Sequence, residues 1–287
     1  MNLAALGYLA GWRMVRLLPE PVARALFRAG ADKASDHGRG MEQLRRNLIR
    51  VVGAENVTAE LVRDSVRSYA RYWLEAFRLP AMKDDPRLDA RLAAGVVGRE
   101  HLDASLAAGR GVILALPHSG NWDMAGTFLV RHYGQFTTVA ERLKPEVLFT
   151  AFVEFRESLG FEVLPLTGGR PAFPRLREVL EGGGIVCLLG ERDLTDRGIA
   201  VDFFGEETTM PAGPAQLAVA TGAALHAVHC WFEEDGWGFS VSEEIAVDDV
   251  GATTQRLADR FAVNIARHPA DWHMLQPQWT ADKRGRG

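Results

Sequence analysis

Cysteine is nearly absent from the 287-residue chain, with Cys187 and Cys230 the two present, each inside an apolar run. No disulfide framework is indicated, and the thiols read as small core residues suited to a reducing compartment. Lysine is scarce as well, four against 29 arginines. Long apolar runs are missing: the stretch at the amino terminus stops at Arg13 and Pro19 follows, short of the ~20 residues needed to span a bilayer. No basic residue precedes that stretch, which a secretory signal requires. Gly182-Gly-Gly184 is neither a G-x-G-x-x-G fingerprint nor a Walker loop, and G-x-S-x-G does not occur, so nucleotide-loop and serine-elbow chemistry have no signature here. His226, His229 and Cys230 make poor metal co-ligands, because strand positions 226 and 229 face opposite sides; no metal is expected.

What is present is an ordinary soluble composition, 47% apolar and 24% charged, ample for a core. The net charge of −4 argues against a general nucleic-acid binder, but it is unevenly spread. Residues 1–50 carry nine basic against four acidic side chains, a local balance of +5 that leaves −9 for the remainder. Such asymmetry points to an anionic partner for the amino-terminal part.

In chain order, residues 1–29 read as a helix with Leu3, Leu6, Leu9, Met14, Leu17 and Leu18 apolar and Arg13, Arg16, Arg24 and Arg28 charged. It fits a basic amphipathic helix on an anionic membrane surface, or a packed helix with a solvated arginine face. Helices continue over 41–53 and 58–79, the latter capped by Thr58. Tyr69, Tyr72, Trp73, Phe77 and Leu79 form an aromatic-rich face expected in the core. Lys83 to Arg91 reads as a polar, turn-like link.

Beyond it the pattern alternates. Strands are expected at 112–116, 135–140, 161–166, 185–189 and 225–232, and helices near 122–133, 145–159, 172–181, 212–222 and 253–267. Asp235-Gly236 marks a hairpin into Trp237 to Val241. The expected fold class is α/β, a largely parallel or mixed central sheet flanked by helices, with a helical amino-terminal portion over 1–82 and an α/β core over 95–280 of one domain spanning 1–287.

Val112 to Leu116 ends at Pro117, so His118 stands just past a strand's carboxyl end, where ligands bind in open α/β sheets. Asp123 follows five residues later. The two can meet if His118 lies in the turn and Asp123 at the start of the next helix, the carboxylate then fixing the imidazole tautomer. The plainer reading makes Asp123 an acid favoured by the helix dipole. Gly190-Glu-Arg-Asp193 brings further charge to the end of another strand; Glu191 is taken as the residue facing the site, with Asp193 the alternative.

The stretch His118-Ser-Gly-Asn-Trp-Asp123 resembles the H-x-x-x-x-D motif of the glycerolipid acyltransferases. Its setting is similar to one branch, the bacterial lipid A late acyltransferases and actinobacterial phosphatidylinositol mannoside acyltransferases. The resemblance takes in Gly98-Arg-Glu-His-Leu102, Glu191-Arg-Asp193, Val201-Asp-Phe-Phe-Gly205, Met210-Pro-Ala-Gly-Pro-Ala215, Thr221-Gly-Ala223, His268-Pro-Ala-Asp-Trp272 and Gln276-Pro-Gln-Trp279, over roughly residues 95 to 280. It implies an acyl-CoA-dependent O-acyltransferase, peripheral on the cytoplasmic face of the plasma membrane. The acyl chain, palmitoyl by expectation, would pass directly to a mannose hydroxyl of a phosphatidylinositol mannoside, with acyl-CoA as co-substrate and no cofactor. His118 is the expected general base, Asp123 its orienter and Glu191 a third functional residue. Arg156 is assigned to a headgroup phosphate, Glu141 to the acceptor sugar and Arg192 to substrate binding. Backbone N–H groups around Ser119 to Trp122 are expected to meet the oxyanion, while His268, Asp271 and Trp272 read as packing. The mannoside branch is preferred because lipid A enzymes commonly carry an amino-terminal anchor not seen here. Acylation of a lipid A precursor or lysophospholipid, and a lipid hydrolase or lipid-binding protein, are the competing readings.

Overall fold

A computed structural model describes residues 14–83, 85–142, 146–169, 171–195 and 197–284. The fold is built around strand β2 (Val112–Leu116), all five residues of which are buried. Side chains alternate across a strand. Val112, Leu114 and Leu116 accordingly enter one core and Ile113 and Ala115 another.

The first core lies under helices α8 (Ala172–Glu181), α9 (Gly213–Thr221) and α10 (Val250–Arg267), through Leu176, Leu217 and Phe261. The second lies under α4 (Pro86–Ala94), α5 (Arg99–Ala107), α6 (Trp122–Tyr133) and α7 (Glu146–Glu157), through Leu92, Leu102, Met124 and Phe152. The remaining strands are β1 (Val96–Val97), β3 (Thr137–Ala140), β4 (Glu162–Pro165), β5 (Ile185–Leu189), β6 (Ile199–Phe203), β7 (Glu206–Met210), β8 (Ala224–Glu233) and β9 (Gly236–Val241). Seven of them form one sheet in the order β1-β9-β8-β2-β5-β3-β4, while β6 and β7 make a separate hairpin. Pairing is parallel from β8 through β4, and β9 turns back antiparallel on β8. The α/β class with a mostly parallel sheet flanked by helices is therefore the observed one.

Amino-terminal helices α1 (Glu20–Ala34), α2 (Glu42–Val52) and α3 (Ala59–Met82) share a third core of Ala31, Leu44, Leu48, Val62 and Val66. Thr58 caps α3, its hydroxyl accepting from Leu61 N at 3.1 Å. The helix expected over 1–29 is interrupted: residues 14–17 are helical, and a new helix starts at Glu20 behind Pro19, whose ring disfavours a helix interior. The part of that expectation falling on residues 1–13 lies outside the described residues. The link expected at 83–91 is largely the helix α4. Asp85 caps it through Arg87 N at 2.9 Å and Pro86 takes the first turn, a helix-start signature rather than a loop.

One further pairing places the site. Leu116 on β2 lies opposite Leu189 on β5, so residues two steps beyond each strand end emerge together at the sheet's carboxyl edge.

Candidate active site

Those two residues are His118 and Glu191. His118 Nδ1 lies 2.8 Å from Glu191 Oε1 and 3.0 Å from Oε2, and the His118 backbone N–H donates to Oε1 at 2.7 Å. Glu191 is fully buried, and Gln278 Nε2 holds its backbone carbonyl at 2.6 Å. Burial alone would push the Glu191 carboxyl up, yet the charge, ring hydrogen bond and N–H of His118 hold it below the usual range. A carboxylate there requires the proton on Nδ1, which leaves Nε2 as the basic nitrogen. Asp193, the alternative acid, turns into its own loop and accepts from Thr195 N at 2.9 Å and Gly198 N at 2.8 Å.

The turn bearing His118 is fixed from several sides. His273 N donates to His118 O at 2.7 Å, and Gly120 N to Asp271 O at 2.9 Å. Gly120 has φ +52°, and a Cβ there would come within 2.5 Å of the Cys230 backbone carbon, so glycine is required. Ser119 Oγ, buried, lies 3.2 Å from His229 Nδ1. Asn121 Oδ1 caps α6 through Met124 N at 3.0 Å. The Ser119 N–H is spent on Pro117 O and that of Gly120 on Asp271 O, so neither serves an oxyanion as the sequence suggested. Asp271, read from sequence as packing, instead holds the turn.

Asp123 does not reach the imidazole. It is buried at the start of α6, where Arg156 Nε donates to Oδ1 at 2.9 Å and Tyr72 Oη to Oδ2 at 3.1 Å. The expectation that Asp123 orients His118 is corrected by this geometry. Arg156 shares that contact: its Nε and Nη2 face Asp123, while the half-buried side chain also lines the cleft. Burial works against the Arg156 charge, but Asp123 and Tyr72 raise its proton affinity. The Tyr72 phenol is pushed well up, by burial and then by the Asp123 charge.

Two cavities meet at this cluster. A polar-lipped cleft of about 290 Å³ is lined by His118, Trp122, Glu141, Arg156, Arg192 and His273, with Tyr72 and Phe152 in its wall. A narrow apolar slot of about 100 Å³ runs from Asp123 and Arg156 between sheet and helices, past Leu116, Phe136, Phe161 and Cys187 toward Leu102, Phe128 and Phe239. Trp122, Val139, Arg156 and Leu189 line both. Five of the six residues singled out from sequence line the two cavities, and the sixth, Glu191, is buried behind the His118 ring. Glu141 is exposed at the rim and Arg192 half-buried. Burial raises the Cys187 thiol far above its usual range, which makes it inert.

His273 was missed. Its Nε2 lies 2.9 Å from Ser68 Oγ, which itself donates to Asp271 Oδ1 at 2.6 Å, so Nε2 carries the proton and Nδ1 is an acceptor. That Nδ1 is buried without a hydrogen-bond partner among the described residues. Burial, and then the nearby His118 charge, pushes the His273 pKa down to about 3. Its place directly after the Trp272 motif was the available signal.

The family model for bacterial lipid A biosynthesis acyltransferases matches residues 3–281. A phosphatidylinositol mannoside acyltransferase of Mycolicibacterium smegmatis is 64% identical over 282 residues, covering 96% of this chain and 91% of the relative. One of Mycobacterium tuberculosis, strain CDC 1551 / Oshkosh, is 59% identical over 280 residues, covering 96% of this chain and 88% of its own length. The chain belongs to the bacterial lipid A biosynthesis acyltransferase family.

Proposed function

We propose that this protein moves a long acyl chain, palmitoyl by preference, from acyl-CoA to a mannose hydroxyl of a phosphatidylinositol mannoside. The observation that carries the reading is the His118–Glu191 pair opening on a cleft that joins an apolar slot. The acceptor class follows the names of the two relatives.

In this reading His118 Nε2 takes the proton of the acceptor hydroxyl as its oxygen attacks the thioester carbon, and Glu191 stabilises the imidazolium that forms. The tetrahedral adduct then expels the thiolate, the carbon–sulfur bond breaks, and His118 returns the proton to sulfur. No acyl-enzyme is needed. The chain occupies the slot, each buried methylene contributing roughly 0.8 kcal/mol. Glu141 accepts from the polyol hydroxyls at the rim of the cleft, and Arg192 donates to the phosphate. Asp123 acts by holding Arg156 and Tyr72 at the neck between the two cavities.

Among the described residues no helix is long and apolar enough to cross a membrane. Met14, Leu17, Val22 and Leu26 nevertheless expose 65%, 84%, 46% and 58% of their surface beside Arg24 and Arg28. We assign that face to the anionic cytoplasmic surface of the plasma membrane.

Thiol release from palmitoyl-CoA, measured with and without phosphatidylinositol mannosides for wild type and His118→Ala, tests the reading. Acceptor-dependent release lost in the variant, with acylated glycolipid recovered, is the expected result. Release indifferent to acceptor, with free fatty acid as product, would instead mean a thioesterase.

A further inference from the structure

Helix α3 carries a carboxylate among its apolar residues. Ser68, Tyr72, Glu75 and Leu79 are all buried, and Glu75 is 5% exposed. A carboxyl group in that position needs hydrogen-bond partners for both oxygens. Arg71 Nε donates to Oε1 at 2.8 Å, while Asn121 Nδ2 at 2.8 Å and Trp237 Nε1 at 2.7 Å both donate to Oε2. Arg71 is itself held by the β8–β9 hairpin, giving hydrogen bonds to Glu233 O and Gly236 O at 2.8 Å each and lying over the Phe232 ring.

Asn121 is the informative partner. It stands three residues after His118, is fully buried, and has one amide to divide between two duties. Its oxygen caps α6 and its nitrogen must then face Glu75. Turning the amide over would oppose donor to donor at Met124 N and acceptor to acceptor at Glu75, two buried mismatches at once. The Glu75 carboxylate therefore selects one amide orientation, and that orientation fixes where α6 begins and how the preceding turn presents His118.

We propose that Glu75 is a positioning residue of the acyltransferase site, acting on His118 through Asn121; the kinetic part of this rests on the function proposed above. The carboxylate touches no reacting atom. It sets the turn from the amino-terminal helical layer, as Glu191 sets the ring from the sheet.

Glu75→Ala removes the acceptor for two buried donors, whereas Glu75→Gln can keep its amide oxygen on Asn121 and Trp237, with the partly exposed Arg71 turning its freed N–H to solvent. Amide hydrogen exchange over residues 117–124, which needs no substrate, is measured beside kcat and acceptor KM for Glu75→Ala, Glu75→Gln, Asn121→Ala and the Glu75→Ala/Asn121→Ala pair. The expected result is faster exchange in that segment and a kcat loss of about tenfold or more in Glu75→Ala, with acceptor KM within about twofold, because orientation and not binding is lost. Glu75→Gln is expected to stay within about threefold of wild type, and the double variant to lose no more than the worse single one, as residues on one path are non-additive. Unchanged exchange in Glu75→Ala, or losses that multiply in the double variant, would overturn the proposal. Faster exchange in Glu75→Ala with a wild type inactive on the mannoside would refute the substrate reading while upholding the positioning of the turn.

Discussion

Asp123 and Glu191 are both buried carboxylates within reach of one site, and their surroundings give them opposite work. Glu191, at the end of β5, receives an imidazole N–H and a backbone N–H from His118. Asp123, at the start of α6, receives a guanidinium and a phenol. The first pair leaves an imidazole nitrogen, Nε2, free to accept a proton, whereas the second offers no basic nitrogen, since an arginine stays charged. Proximity along the chain is thus a poor guide to which acid serves the histidine. His118 and Asp123 are five residues apart and do not bond, whereas His118 and Glu191 are 73 apart and do.

The largest effect expected from breaking this arrangement is His118→Ala, which should cost about 10³-fold or more in kcat, the scale of a lost general base. Glu191→Gln follows, about 10²-fold in kcat with acceptor KM little changed, because the ring is no longer held in its basic tautomer. Asp123→Asn separates the two roles. It leaves the half-buried Arg156 without its counter-charge, so thermal or urea unfolding should show a loss of about 1–3 kcal/mol. Replacing both members, Asp123→Leu with Arg156→Met, should bring stability back to within about 2 kcal/mol of wild type, while activity stays impaired at the neck.

Gly126→Val probes the slot without touching either carboxylate. A Cβ at Gly126 would come within 2.6 Å of Phe161 Cζ and 3.0 Å of Phe136 Cζ, rings that line the slot. Product analysis with acyl-CoA donors of graded length should show a shift toward chains shorter by about two to four methylenes, each roughly 0.8 kcal/mol of burial. The smallest effect concerns acid stability. His273 and His229 have pKa values near about 3 in the folded protein, each mainly through burial, against about 6.5 unfolded. Between those values the unfolded chain binds more protons, so stability falls as pH drops from about 6.5 toward about 3. Glu191, depressed instead, adds stability above its unfolded pKa that is lost as pH falls through its folded value. His273→Gln should flatten the upper part of that acid limb in a pH series of melting curves.

Much of the sheet was legible because buried strands announce themselves. The apolar runs 112–116 and 185–189 are strands with those bounds, and 122–133 and 172–181 are helices with theirs. Asp85-Pro86 was misread because polar residues suggest a loop, although that order marks a helix start. Register was out of reach: the strand-end position of Glu191 allowed it to converge with His118, but nothing local says that Leu116 meets Leu189, the pairing that sets the two side by side. Glu75 carried a fainter signal, its four- and three-residue spacing to Leu79 and Tyr72 placing it on the buried stripe. A lone acid among aromatics is easily assigned to solvent when its donors come from Asn121 and Trp237, far along the chain.

The central claim is that Glu191, not Asp123, holds the His118 ring, and ring-nitrogen NMR tests it most directly. With ¹⁵N-labelled histidine, the neutral form of the His118 ring should be the Nδ1-protonated tautomer in wild type and in Asp123→Asn, and should lose that preference in Glu191→Gln. Retention of that tautomer in Glu191→Gln together with its loss in Asp123→Asn would contradict the account.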